Sequence, residues 1–391
     1  MKKKGLASLL CVTLFVTLIS GCSSDANSDS DNKAGKGDNV VKLGLLAPLT
    51  GTNAEYGKGF EVAAEMAIEE INNAGGVNGK KLEIEVADSK GDQKESSDLA
   101  RKFGDNDDIK AIIGDFASGS CMANAPIVDA AGIVQLSPTA SNPDYASMSP
   151  YTFSIMGRQD GEAPFFAKYI VDKYLGKKKV GLIYINSDWG VSSIENFKMG
   201  AKEAGVEVVA EADYVQDEKD FSSLISKVQA ASPEVVIIFD QGAVSQIINQ
   251  IAQADWNVQV TALGPGTSQQ IIDLAGENAE GLITSTPFFF DSENREQMDW
   301  KETFIKKSGC VPTVHPVVAY HSVYLTAEAI KMIGDGEITR DAIRDNLQKV
   351  KYEGLSGPIE FSEDGDIQRS YLICAVEDGK FVIKEGYDYA G

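Results

Sequence analysis

Residues 40–46 read Val40-Val41-Lys42-Leu43-Gly44-Leu45-Leu46, an almost continuous apolar run. Short apolar runs of this kind are typical of strands that are buried on both faces of a parallel sheet. The run Lys179-Val180-Gly181-Leu182-Ile183 resembles it and occurs much later in the chain. We therefore expect two similar lobes, each with a sheet that begins with one of these strands.

Helical and strand patterns alternate after each of these two runs. In the first half, apolar residues at helical spacing predict a helix from Gly59 that stops at residues 72–76. The further elements expected there are strands at 82–87, 111–114 and 133–136, with helices through Phe103 and Ile127. The second half repeats this order, with strands at 179–183, 208–212, 235–239 and 258–263 and helices between them. The alternation predicts an α/β fold of two doubly wound lobes, each a parallel sheet with helices on both faces.

The last third of the chain has a different pattern. Helices are predicted at 297–307, 317–333 and 341–350, followed by strands around 359–361, 372–377 and 381–383. Helices without intervening strands cannot easily extend the second sheet, so we expect them to return and cover the first lobe. The chain would then cross between the lobes several times.

The amino terminus has the features of a targeting signal. Three lysines at positions 2–4 precede a short apolar segment at residues 6–19, and small residues lead to Cys22. This pattern predicts a secretory signal peptide at residues 1–21 rather than a membrane span. A cysteine directly after the small residues resembles the bacterial lipoprotein signal, which implies a lipid on Cys22 and a membrane-anchored protein in the periplasm or on the cell surface. The alternative is an ordinary signal in which Cys22 is a coincidence.

The segment after Cys22 predicts a disordered tether. Residues 22–39 are rich in Ser, Asp, Asn and Gly and contain no large apolar side chain. Such a segment cannot bury enough surface to offset the entropy of ordering it. The folded part of the chain is therefore expected to begin near Val40.

Length and charge limit the classes of partner. The 391 residues exceed the size at which single cores stop growing, which favours two domains. The formal charge of −22 argues against nucleic acid, and against anionic lipid bound by charge. No second apolar run long enough for a membrane span follows the signal.

Little in the sequence supports catalysis, a cofactor or a metal. Ser118 is not in a G-x-S-x-G motif, and the histidines are His315 and His321, which lie on one predicted helix. No phosphate loop, dinucleotide-binding motif or metal-ligand spacing is present in the sequence. Cys121, Cys310 and Cys374 could form one disulfide, but we expect all three to be buried as small apolar residues.

Candidate ligand-binding loops follow the predicted strands, because doubly wound sheets bind ligands beyond the carboxyl ends of their strands. Ser118 follows the third strand, and Thr139 and Ser141 follow the fourth. Their hydroxyls, with free N–H groups at helix starts, would form a receptor for a carboxylate or another anion. Helix capping is the alternative role for each of them.

The second lobe offers two further candidates. Trp189 follows its first strand and could stack on a ligand, or it could be a partly buried aromatic residue. Asp240 ends an apolar strand and could meet a cation or cap the following helix. The sequence leaves both pairs of alternatives open.

Several motifs occur in a characteristic order along nearly all of residues 40–388. They are Pro48-Leu49-Thr50-Gly51, Tyr56-Gly57, Ala74-Gly75-Gly76-Val77-Asn78-Gly79-Lys80, Leu136-Ser137-Pro138-Thr139-Ala140, Lys219-Asp220-Phe221-Ser222, Ala279-Glu280-Gly281-Leu282 and Gly357-Pro358-Ile359. Each motif is weak alone, and their order is fairly specific. In this order they resemble the extracytoplasmic solute-binding proteins of ABC importers, in particular the leucine/isoleucine/valine-binding group.

The resemblance implies a type I periplasmic-binding-protein fold, in which two lobes joined by three crossovers close on one small molecule like a hinge. It places lobe one at residues 40–157 and 288–361. Lobe two would contain residues 158–287 and 362–391. A monomer without a cofactor is expected.

The resemblance also implies roles for individual residues. In amino-acid-binding relatives, residues that match Ser118, Thr139 and Ser141 hold the α-carboxylate and ammonium groups of the ligand. A tyrosine that matches Tyr56 lines the side-chain pocket. The aromatic residue of the second lobe, usually tyrosine, is Trp189 here.

One departure from the family pattern bears on the ligand. Relatives often have an acidic residue in a Gly-Pro-Glu loop that neutralises the ligand's ammonium, but this chain reads Gly264-Pro265-Gly266. A buried, unpaired ammonium is costly, so either Asp240 replaces that charge or the ligand is not an α-amino acid. His315 lies roughly where some relatives have a pocket aromatic, which also indicates a changed specificity.

The resemblance therefore implies a membrane-anchored receptor that captures a small amino acid or a related carboxylate or amide and delivers it to an ABC permease. A ligand-sensing module for a membrane receptor is the first alternative. A surface hydrolase is the second.

Overall fold

The computed structural model describes residues 39–387, with side chains up to residue 384. The predicted signal peptide at residues 1–21, Cys22 and the predicted tether as far as residue 38 lie outside the described residues. Within the described range, the strands form two large sheets and one short two-stranded ribbon.

The first sheet is parallel and has the strand order β2-β1-β3-β4-β5. Its strands are β1 (Val40–Ala47), β2 (Lys81–Asp88), β3 (Ile109–Ile113), β4 (Val134–Ser137) and β5 (Thr152–Ser154). The connecting helices are α1 (Ala54–Asn73), α2 (Gln93–Gly104) and α3 (Ser118–Ala131). The predicted strands are confirmed, whereas α1 begins five residues before Gly59. Strand β5 was not predicted, because three residues are too few to show a periodicity.

The second sheet begins with strands that are also parallel to one another. They are β6 (Lys179–Ile185), β7 (Glu207–Tyr214), β8 (Val235–Phe239), β9 (Gln259–Leu263) and β10 (Ile283–Thr286). The helices of this part are α4 (Gln159–Phe165), which continues as a π-helical segment at Phe166–Tyr174, α5 (Asp188–Ala204), α6 (Ser222–Ala230), α7 (Val244–Gln253) and α8 (Gln269–Ala275). The repetition of the first strand is thus accompanied by a repetition of the βα order.

The next elements return to the first sheet. They are α9 (Arg295–Ser308), α10 (Val314–Lys331), α11 (Arg340–Leu347) and the ribbon strands β11 (Lys351–Gly354) and β12 (Gly357–Glu360). Helices α9 and α10 pack against α1, and α11 contacts β3 and β4. Their buried side chains belong to the same apolar core as those of β1 and α1. We call the first sheet with its packed helices the first lobe, and the second sheet with its helices the second lobe.

The second sheet is parallel in its main part and has an antiparallel edge. The last strands, β13 (Tyr371–Glu377) and β14 (Lys380–Tyr387), join it antiparallel. They form a hairpin around Asp378 and Gly379, which both have positive φ values. An Asp-Gly pair between apolar runs is a strong sequence signal for such a two-residue turn, and it was available in the sequence.

The three cysteines of the described chain differ in burial. Cys121 and Cys374 are buried and free, but Cys310 is exposed, so the expectation that all three cysteines are buried is wrong for Cys310. Cys310 lies two residues after the end of α9, in the loop that leads to α10. None of the helices between residues 39 and 387 is both long and apolar enough to cross a bilayer.

Each lobe has a glycine at the start of the helix that follows its first strand. A Cβ on Gly57 would lie 2.1 Å from the carbonyl oxygen of Pro48. A Cβ on Gly190 would lie 1.9 Å from that of Ile185. The two helices can approach their preceding loops only because these residues have no side chain.

We expect Gly57→Ala to destabilise the protein by about 1–3 kcal/mol, because the new methyl group meets backbone that cannot rotate away. Gly59→Ala is the matched control in the same helix, since its Cβ would lie 3.6 Å from the Pro316 side chain, at ordinary contact distance. That variant should gain about 0.5–1 kcal/mol from helix propensity. Urea unfolding midpoints compare the two, and equal midpoints would contradict the steric argument.

Candidate functional site

A cavity lies between the two lobes, and its walls come from the loops that follow the strands. Its volume is about 100 Å³. A buried water molecule needs roughly 10–15 Å³ of such volume. If each non-hydrogen atom of a ligand needs as much as one water, the cavity holds roughly seven to ten of them. It therefore has the size of an amino acid or a small aromatic acid.

One corner of the cavity carries uncommitted hydrogen-bond donors. Helix α3 begins at Ser118, and no side chain caps its first N–H groups. Ser118 Oγ accepts hydrogen bonds from the backbone N–H groups of Ser141 and Asn142, each at 3.3 Å. No described residue accepts the Ser118 hydroxyl proton, so this proton can be donated into the cavity. Ser118 is therefore not a cap of its own helix.

The next loop adds a second hydroxyl to this corner. Thr139 Oγ1 donates to the carbonyl of Phe116 at 2.8 Å, so its proton is already used. Ser141 Oγ accepts from the indole Nε1–H of Trp189 at 3.1 Å, and no described residue accepts the Ser141 proton. Ser118, Ser141 and the start of α3 together resemble a receptor for a carboxylate.

Trp189 is 8% exposed and forms part of the cavity wall from the second lobe. It packs against Gly264, where a Cβ would lie 2.6 Å from the indole ring. Gly264 also has a positive φ of 110°, which glycine tolerates best. The indole is therefore partly buried, hydrogen-bonded and cavity-facing at once.

Asp240 lines the cavity but is already well supplied with donors. It accepts the hydroxyl of Tyr214 at 2.8 Å and the backbone N–H groups of Gln241 and Ala243 at 2.8 and 2.7 Å. Burial raises the pKa of Asp240, and these hydrogen bonds oppose that shift. The carboxylate thus organises the loop before α7, and neither N–H group belongs to the helix itself, which begins at Val244.

One part of the cavity wall is aromatic. Phe116 and His315 line the cavity, and Tyr56 lies behind them, with its ring stacked on Phe116 at 4.9 Å and 4.6 Å from the His315 ring. Burial lowers the pKa of His315 to about 3, so its imidazole is neutral at physiological pH. His315 Nδ1 lies 2.9 Å from Thr313 Oγ1. This wall suits an apolar or planar group of a ligand.

Glu162 on α4 lines the same cavity and was not among the predicted site residues. Its carboxylate accepts one hydrogen bond, from Ser285 Oγ at 2.7 Å. Burial raises the pKa of Glu162 to about 7, although the bond from Ser285 opposes the shift. The sequence carried no signal for it, since Ser285 is 123 positions away.

Hydrogen bonds join the lobes around the cavity. The Tyr56 hydroxyl donates to the carbonyl of Gln241 at 3.2 Å, and Thr52 Oγ1 donates to Asp217 at 2.8 Å. Gln93 Nε2 donates to the carboxylate of Asp188 at 3.0 Å. Together with the bond from Trp189 to Ser141, they hold the lobes in a closed arrangement.

The structure brings the predicted ligand-binding residues together. The seven that line the cavity are Ser118, Thr139, Ser141, Trp189, Asp240, Gly266 and His315. Tyr56 is buried behind the aromatic wall and reaches across to the second lobe through its hydroxyl. Their contacts with a ligand remain predictions.

The chain is similar to known proteins over most of its length. A family model described as periplasmic binding protein matches residues 40–380. Leu/Ile/Val-binding protein homolog 1 of Brucella suis is 29% identical over 333 residues, which cover 83% of this chain and 87% of that protein.

Two solved structures have similar folds. LivJ, a branched-chain amino acid transporter substrate-binding protein of Streptococcus pneumoniae in complex with isoleucine, has a TM-score of 0.81 at 23% identity over 89% of this chain and 98% of its own. A solute-binding protein of an ABC transporter from R. palustris, in complex with benzoate, has a TM-score of 0.82 at 20% identity over 89% and 96%. These matches confirm the predicted fold. The matched proteins are binding proteins, in agreement with the prediction that the chain is not an enzyme.

We expect Gly264→Ala to push Trp189 away from the cavity wall, because the new Cβ would overlap the indole ring. Gly266→Ala is the matched control, since it also has a positive φ but its Cβ would come no closer than 3.7 Å to His315. The tryptophan emission of Gly264→Ala should shift to longer wavelength, while that of Gly266→Ala should stay unchanged. An identical spectrum for both variants would contradict this packing.

Proposed function

We propose that this chain, which belongs to the periplasmic binding protein family, captures a small carboxylate-bearing molecule between its two lobes. The family assignment confirms the resemblance drawn from the sequence. It also implies a location outside the cytoplasm. Closure follows binding to the extent that the ligand has a higher affinity for the closed form than for the open form.

The observation that carries this proposal is the pair of unassigned hydroxyl protons on Ser118 and Ser141 beside the uncapped start of α3. Hydroxyl protons and helix N–H groups that converge on a cavity favour an anion, since the helix dipole adds to their charge. A carboxylate is the anion that a cavity of this size most readily accommodates together with an organic side chain.

The names of similar proteins support a ligand class. The Brucella suis relative is named for leucine, isoleucine and valine, and the two solved structures contain isoleucine and benzoate. The aromatic wall of Phe116 and His315 would accept the apolar part of any of these molecules. We infer that the ligand is a small amino acid or a related carboxylate or amide.

Delivery to a membrane permease and anchoring by a lipid on Cys22 complete the proposed function. The proposed delivery follows from the role of ABC solute receptors. The proposed lipid anchor follows from the sequence before Cys22. A lipid on Cys22 would keep the receptor close to its permease, which raises its effective concentration there.

We expect one class of small carboxylate to raise the melting temperature of the purified protein in a screen of amino acids, their deaminated analogues, aromatic acids and amides. A ligand at a hundredfold excess over its dissociation constant adds about 2.7 kcal/mol of stability. Ser118→Ala should weaken the affinity for that ligand roughly tenfold, because a donor to its carboxylate is lost. Ser120→Ala is the control on the same helix, since the Ser120 hydroxyl is buried without a partner in the described chain. The proposal fails if no compound stabilises the protein.

We expect Cys22→Ser to release the protein from the membrane fraction of its host, because a lipid is needed to hold it there. Cys310→Ser is the control, since Cys310 is the exposed cysteine of the described chain. Immunoblots of membrane and soluble fractions compare the two variants. Unchanged membrane attachment of Cys22→Ser would contradict lipidation at this residue.

A further inference from the structure

The Glu162 carboxylate is short of partners for a group enclosed by protein. Ser285 Oγ is the one donor that reaches it among the described residues, and no lysine or arginine there forms an ion pair with it. Its side chain faces the cavity, so its second oxygen remains open to a ligand. A buried carboxylate with one neutral donor is costly unless a cation joins it.

The groups around Glu162 provide no such cation. Tyr371 of β13 interacts with it electrostatically and is fully buried, and the other carboxylates that act on Tyr371, those of Asp160 and Asp366, are acidic as well. Arg369 acts on Tyr371 as well, but it is engaged by Ser356 and by the carbonyl of Ile155.

The remaining titratable side chains of the cavity lining do not supply a cation for Glu162 either. They are Tyr214, Asp217, Glu218, Lys219, Asp240 and His315. His315 is neutral, and the exposed Lys219 lies next to two of the acidic residues in sequence. The enclosed part of the cavity therefore carries acidic groups without a basic one.

Asp240 is a weaker candidate for the partner of a ligand cation. Among the described residues, Tyr214, Gln241 and Ala243 donate to its carboxylate, whereas Ser285 alone donates to Glu162. A ligand cation would therefore gain less binding free energy at Asp240 than at Glu162, because these donors already compensate the charge of Asp240. The acidic residue that is missing at Gly266 is thus better replaced by Glu162 than by Asp240.

We propose that the Glu162 carboxylate is the counterion of a positively charged group on the ligand. This counterion role rests on the proposed function. The two together imply that the ligand is a zwitterion. Its carboxylate would lie at Ser118 and Ser141, and its ammonium would lie at Glu162. The ligand class is then α-amino acids or close relatives that retain the ammonium, rather than simple organic acids.

The test uses the purified protein and two matched pairs of probes. L-Leucine is compared with 4-methylpentanoate, and L-valine with 3-methylbutanoate, so that each pair differs in the ammonium group alone. Isothermal titration calorimetry measures each probe against the wild type, Glu162→Gln and Asp240→Asn. Glu302→Gln, an exposed carboxylate on α9, is the control for a loss of charge far from the cavity.

The wild type should bind the amino acid of at least one pair at least tenfold more tightly than its deaminated partner. Glu162→Gln should lose roughly ten- to a hundredfold in affinity for that amino acid, the usual range for a hydrogen bond to a charged group. Its affinity for the deaminated acid should change little, and Glu302→Gln should bind as the wild type does.

The pH dependence gives a second readout. Only the ionised carboxylate attracts a cation, and the pKa of Glu162 is about 7 in the ligand-free protein. The affinity for the amino acid should therefore rise as the pH rises towards about 7 and level off above it. In Glu162→Gln this rise should disappear.

Stability without ligand distinguishes a binding role from a structural one. Glu162 holds its proton more tightly in the folded protein, with a pKa of about 7, than in the unfolded chain, with a pKa of 4.5. The folded wild type is thus penalised increasingly from pH 4.5 to about 7, and fully above that. Glu162→Gln cannot ionise and keeps an acceptor for Ser285. The melting temperature of this variant minus that of the wild type should therefore increase from pH 4.5 to about 7.

Three outcomes would overturn the inference. Glu162→Gln could bind the amino acid as the wild type does, Asp240→Asn alone could lose the affinity, or the deaminated acids could bind more tightly than the amino acids. In each case a ligand still binds the wild type, so the proposed function stands. If no probe and no compound of the wider screen binds the wild type, the proposed function itself fails and this inference fails with it.

Discussion

The parallel strands of both lobes deliver their carboxyl ends to one cavity, and the positions of the candidate ligand groups follow from this constraint. A parallel strand ends where the next helix begins, so helix starts with free N–H groups collect at the same edge of the sheet. Ser118 follows β3 at the start of α3, and Trp189 lies in the first turn of α5 after β6. The approach of these helices to their strands depends in turn on glycines such as Gly57 and Gly190, which leave room for the backbone.

The polar groups of the cavity differ in how many hydrogen-bond partners the protein itself provides. Thr139 and Asp240 have partners that fix the loops. The hydroxyl protons of Ser118 and Ser141 and one oxygen of Glu162 have no partner in the part of the chain that the structure describes. Unsatisfied polar groups cost stability in an enclosed site, where water cannot fully replace a partner. A ligand that supplies both an acceptor and a cation would remove this cost, and its recognition would come from groups that the fold leaves incomplete.

Much of this arrangement is predictable from the sequence because it depends on local patterns. The apolar runs at β1 and β6, the helix stop after Asn73 and the hydroxyl residues after β3 and β4 are all short-range signals. The Asp378-Gly379 turn was equally local, but it was not used to predict the antiparallel edge of the second sheet. Glu162 could not be predicted in this way, because its position depends on burial and on a contact with Ser285 from a distant strand. Long-range pairing of this kind leaves no trace in periodicity or spacing.

The contacts described above between the two lobes are polar, unlike the apolar contacts within each lobe. They are hydrogen bonds between polar side chains or from side chains to backbone, such as those of Thr52 to Asp217 and of Gln93 to Asp188. Each of these groups can bond to water when the lobes separate, so each contact contributes only about 0.5–1.5 kcal/mol to closure. The apolar cores, by contrast, lie within the lobes, so a separation of the lobes would leave them buried. The balance between open and closed forms is therefore small enough for one ligand to shift, provided that the ligand contacts both lobes. A zwitterion held by Ser118 in the first lobe and by Glu162 in the second would meet that condition with its two charges.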